Sequence, residues 1–161
     1  MGESPTGVGN RPGVRILDEL TLEEYAMLAV GERDGYLDEV LDEYGRRLRW
    51  ALTGDPAQPS RLDEPARIAL IARFVPVLVG LVGRNWIETR ETYSGRWHDT
   101  SAMSADDLTI ALRDPANWLP PPGTRQRGLT ITTTACWAAV RQAAEAGRRI
   151  SPVEQHTTGS A

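Results

Sequence analysis

Lysine is absent from this chain: all 18 basic residues are arginine, set against 22 Asp and Glu for a formal net charge of −4 at pH 7. The sequence pI is about 5.2. Such a balance gives no electrostatic pull toward nucleic acid or an anionic membrane, whose binders normally carry a basic domain or stripe. Codon bias toward GC-rich triplets is the simplest cause of an all-arginine complement and points to a bacterium of high genomic GC content. There is one cysteine, Cys136, so no internal disulfide can form and a secreted disulfide scaffold is excluded. With one cysteine and two histidines, no zinc-ligand spacing exists. The opening residues, MGESPTGVGNRPG, lack the basic and apolar regions of a secretory signal. The apolar run from Ile68 to Val82, interrupted by Arg73 and Pro76, is shorter than the roughly 20 residues of a membrane span. It is expected to be a buried core helix, with no membrane partner and a cytoplasmic location.

What is present suffices for one domain: 161 residues, 40% apolar and 25% charged, can bury a single core. The expected organisation is a disordered Gly/Pro-rich arm over 1–19, a globular domain over 20–147 and a disordered tail over 148–161. Thr21-Leu22-Glu23-Glu24 matches a capping box and starts a helix at about 21–32, with Leu22, Tyr25, Met27 and Leu28 inward. A second helix at about 35–52 puts Leu37, Val40, Leu41, Tyr44 and Leu48 on one stripe. Its other face carries Asp38, Glu39, Asp42 and Glu43 early and Arg46, Arg47 and Arg49 late, a solvated order that suits the helix dipole.

After a Pro/Gly loop at 53–61, Asp63 caps the next helix, which Pro76 is expected to kink or split, giving about 64–74 and 76–83. Gly83-Arg84-Asn85 is a turn before a strand from Trp86 to Thr92. Ser104 starts a short helix that ends at Asp114-Pro115, and Pro120-Pro121-Pro122-Gly123 forbids regular structure. Leu129 to Thr133 is a second strand. Thr133 or Thr134 then caps a last helix running to about Ala146, with Gly147 as its C′ residue. The fold class is mainly α with a small antiparallel β-hairpin (α+β).

Few side chains suggest chemistry. Within Gly95-Arg96-Trp97-His98-Asp99, Arg96 and Trp97 are the residue types that anchor protein interfaces. His98 beside Asp99 is the residue pairing of general acid–base work, but no Ser or Cys nucleophile is tied to the pair by spacing, so catalysis is not expected. Trp118 either pins its segment onto the body, the preferred reading, or serves as an exposed contact. Trp86 and Trp137 fall within predicted elements as core. Cys136 opens the last helix, where a thiol pKa can fall, although such cysteines are more often small buried hydrophobes. Asp38/Asp42 and Glu39/Glu43 share helical faces as a cation site would, yet a solvated face explains them. Gly80-Leu81-Val82-Gly83 lacks the Lys-Ser/Thr of a phosphate loop. No metal or cofactor is expected.

On Leu81-Val82-Gly83-Arg84-Asn85-Trp86-Ile87-Glu88 and Leu129-Thr130-Ile131-Thr132-Thr133, residues 66–146 resemble the winged-helix domains of MarR- and PadR-type bacterial regulators. The resemblance implies a recognition helix ending in Gly, a strand, a wing and a returning strand, and with them DNA binding. Two departures argue against that activity. The segment Val75 to Val82, VPVLVGLV, has no polar side chain with which to read bases, and Thr92 to Gly128 replaces a tight basic wing. The expectation is a modified winged helix with an insertion between its strands. It would act as a non-enzymatic protein-binding module, an accessory or immunity-type partner of another protein. The insertion from Tyr93 to Gly123 would be the contact surface, with Arg96, Trp97, His98 and Trp118 as candidates. The alternative is a dimeric regulator binding duplex DNA through Arg46, Arg47 and Arg49 or Arg125 and Arg127. A third reading, a small tailoring enzyme, has no residue set behind it. A homodimer stays open, because any exposed part of 68–82 would need cover.

Overall fold

A computed structural model describes residues 17–93 and 100–149. Helix α1 (Leu22–Gly31) begins on the capping box read from the sequence: Thr21 Oγ1 accepts from the Glu24 N–H, and Glu24 Oε2 accepts from the Thr21 N–H at 2.9 Å. Ala26, Met27, Leu28 and Val30 enter the core. Tyr25 does not: it is 36% exposed, and its hydroxyl donates to the Leu17 carbonyl at 2.7 Å. Leu22 is half-buried. Leu17 is itself buried, so the packed chain is already under way before residue 20.

Helix α2 (Glu39–Thr53) buries Val40, Leu41 and Tyr44, with Leu37 just ahead of it, as the stripe predicts. Its other face is solvated as expected at Glu39, Asp42 and Arg46, but not at Asp38 and Glu43. Asp38 and Glu43 are 6% and 7% exposed. Arg125 holds Asp38 at 2.7 Å, and Arg47 holds Glu43 at 2.8 Å with Arg46 and Arg33 closing on the same carboxylate. Such charge-assisted bonds replace the water that a buried carboxylate loses.

The link 54–63 returns so close over α2 that a Cβ on Gly45 would lie 2.1 Å from Ser60 Oγ. Helix α3 (Glu64–Gly83) follows, capped by Asp63 and unbroken through Pro76. The predicted split fails because Pro76 stands on the exposed side, while Ile71, Phe74, Leu78 and Leu81 fix the helix to the core before and after it. Helices α2 and α3 thus follow one another, joined by the 54–63 link.

Asn85, at φ 57, turns the chain in the left-handed region that asparagine tolerates. Strand β1 (Ile87–Tyr93) then pairs antiparallel with β2 (Arg127–Thr133), from Ile87↔Thr133 to Tyr93↔Arg127. The other edge of β2 takes one more bridge, Tyr36↔Thr130, in which the Leu37 N–H donates to the Leu129 carbonyl at 2.8 Å. Gly128 permits it, since a Cβ there would stand 2.9 Å from the Tyr36 ring. Between the strands lie α4 (Ala105–Leu112), capped by Ser104, and a 3-10 turn at Pro115–Asn117. Helix α5 (Ala135–Arg149) closes the fold on a bond from the Trp137 N–H to Thr134 Oγ1 at 3.3 Å. It runs through Gly147, which is thus an interior residue and not the expected C′ stop. Trp86 and Trp137 are buried with ring centroids 5.0 Å apart, as core tryptophans. The described residues form a mainly helical α+β structure with five α-helices and one two-stranded antiparallel sheet.

Candidate interaction surface

Arg96, Trp97 and His98 lie outside the described residues. Trp118 is described, and it is no contact residue: the ring is 0% exposed. Local bonds turn it inward. Asp114 Oδ1 accepts from the Ala116 N–H at 3.0 Å, closing the 3-10 turn, and the indole N–H donates to the Leu112 carbonyl at 3.0 Å. The ring then meets Phe74 edge-on at 6.4 Å, and Phe74 meets Tyr44 at 5.1 Å. This aromatic line runs from the insertion through α3 to α2, so Trp118 pins the insertion to the body.

The question left open for 68–82, core or exposed, is answered on the outer side of α3. Ile68, Ala69, Ala72, Pro76, Val79 and Gly83 are all exposed, and their spacing places them on one helical face. Ile68 and Val79 are 44% and 42% open. A helix of 20 residues is about 30 Å long, and the face runs most of that length without a hydrogen-bonding side chain. Arg73, at its margin, is bound back to Glu23 of α1. A Cβ at Gly83 would meet nothing within 4 Å, so internal packing does not demand that glycine. The buried core helix expected here is buried on one side only. By length and composition α3 would suffice to cross a bilayer, yet Phe74, Leu78 and Leu81 are fully buried in the core, which would have to open first.

The arginines are mostly turned to internal work. Of the five expected to serve DNA, Arg46 and Arg47 bind Glu43, Arg127 binds Glu91, and Arg125 binds Asp38 while its guanidinium lies 3.8 Å from the centre of the Tyr36 ring. Arg84, beside the end of α3, pairs with Glu24 at 3.0 Å and covers Trp86. On α5, the hydrogen bond that Arg141 donates to Glu145 and the charge of Glu32 hold its guanidinium above its ordinary pKa. Arg49 has no carboxylate partner among the described residues.

Beside β1 and α4 an open groove of about 650 Å³ is lined by Glu91, Tyr93, Met103, Asp107, Ile110 and Arg127 among others. Of the carboxylates that line it, Glu91 pairs with Arg127, Asp107 accepts from Ser104 and Asp114 accepts from the Ala116 N–H. Cys136 is exposed, not the buried hydrophobe expected. Among the described residues no group of three or more His, Cys, Asp or Glu side chains gathers as a metal would require. No protein-family model, curated protein or solved structure matches the chain.

Proposed function

We propose that this chain is a non-enzymatic protein-binding module on a modified winged-helix scaffold, an accessory or immunity-type partner of another protein. The observation that carries the reading is the outer face of α3, apolar from Ile68 to Gly83 and uncovered. The run from α3 through β1, the insertion and β2 to α5 follows the winged-helix order, and α2–α3 supplies the consecutive helix pair. In that scaffold α3 stands where a recognition helix would enter the major groove. Its face offers bases no donor or acceptor, while an apolar protein surface would gain about 25 cal/mol for each Å² of apolar area it covers there. A monomer leaving such a strip in water is uncommon, because large exposed apolar patches mark interaction sites.

The test is affinity capture of tagged protein from lysate of its source after nuclease treatment, beside an Ile68→Glu/Val79→Glu variant. One protein held by the wild type and lost by the variant is the expected result. Duplex DNA binding that weakens steeply with salt would instead restore the regulator.

A further inference from the structure

We infer that the C-terminal half of α2 docks an acidic segment of a partner protein. The inference rests on the protein-binding reading but uses a different helix from the apolar face of α3. Three guanidiniums share one carboxylate there: Glu43 receives Arg46, Arg47 at 2.8 Å and Arg33 at 3.6 Å, and Arg33 also stands 3.9 Å from Glu39. Arg49, one turn on, has no carboxylate partner among the described residues, and its Nε is buried without an acceptor. Neighbouring acids do not restore the balance. Asp42 is paired with Arg67, and Asp55, an anion that accepts from its own Ala57 N–H at 2.9 Å, offsets only one of the two positive charges left over. In a chain of net charge −4 this is a local positive excess, and it faces outward, with the Arg33 and Arg46 side chains 44% and 49% exposed.

Glu43 also holds these planar forks in place before any partner arrives, so less side-chain freedom is lost when they engage a second carboxylate. On the next turn Trp50 is 50% exposed and Leu52 72%. Tryptophan and arginine dominate binding energy at protein interfaces, and here they stand at i and i+4 along one helix. The fitting ligand thus carries carboxylates for Arg33 and Arg46 and an apolar side chain for Trp50. A nucleic-acid backbone fits less well, because its phosphates repeat at every step while the patch offers a single short stretch from Arg33 to Arg49.

The test is fluorescence anisotropy of the full chain with a labelled peptide of glutamates interspersed with leucines. Its lysine counterpart, a duplex DNA of similar length and phosphatidylserine vesicles run alongside. The glutamate peptide alone should bind, weakening about tenfold or more in Trp50→Ala and in Arg46→Gln, with melting temperatures matched to the wild type. Both substitutions sit at exposed side chains, so the fold survives at least one of them. Absence of peptide binding, equal binding by both variants, or tighter binding of DNA or vesicles each overturns the inference. Peptide binding that persists in Ile68→Glu/Val79→Glu supports it as separate from the α3 face. The capture experiment stands or falls on its own, so failure here and failure of the protein-binding reading are distinguishable.

Discussion

Glu43 shows how a residue of α2 that reads as surface becomes structural. Its carboxylate is 7% exposed and carries three arginines, so removing it leaves those charges facing one another over a half-dry site. Glu43→Ala should lower stability by about 1–3 kcal/mol, less than for a fully buried pair because the guanidiniums reach water. A urea melt reads this, and an unchanged midpoint would show the cluster to be ornamental. The burial was not legible from helix periodicity. For Asp38 the cause is plain: its partner Arg125 lies 87 residues away, and no local pattern encodes such a pair. Trp118 was legible as a pin, since the turn that inverts it is written in the adjoining Asp114-Pro115.

At the scale of elements, α3 separates two effects that its sequence merges. Because both sides are apolar, the hydrophobic pattern has no 3.6 period from which to tell core from surface. Only the packing distinguishes Leu78, fully buried, from Val79, 42% exposed. Leu78→Ala should cost about 2–5 kcal/mol, whereas Val79→Glu should stay within about 1 kcal/mol, measured by denaturant unfolding. If Val79→Glu proves as damaging as Leu78→Ala, the face is covered in solution and the reading of it as free is wrong. Pro76 offers a second check. It withholds one helical N–H without breaking the helix, so Pro76→Ala should raise stability by about 1–3 kcal/mol in thermal melts. The caps behave differently. Thr21, Asp63 and Ser104 were all correctly read, because a cap is a contact between residues three apart and is written locally.

Taken whole, the molecule is held by β2, bracketed by β1 on one edge and by the Tyr36 bridge on the other. Native-state hydrogen exchange should therefore find the Ile131 and Leu37 amides among the slowest. The amides of the 54–63 link should exchange fastest, and comparable rates in both places would contradict a sheet-centred core. The fold class was legible because the apolar stripe of α2, the helix caps and the short strands are written in local residue order. The exposed side of α3 was not, since exposure is a property of the assembled chain. The insertion has one more consequence, in time. Thr92 and Gly128 meet across 35 intervening residues, so closing the sheet carries the loop-entropy cost of that excursion, which the burial of Trp118 helps to hold in place. The α1–α2 hairpin, whose contacts are local, owes no such debt of loop entropy and can collapse first. The last event of folding would then be the arrival of β1 against β2, and the insertion sets its clock.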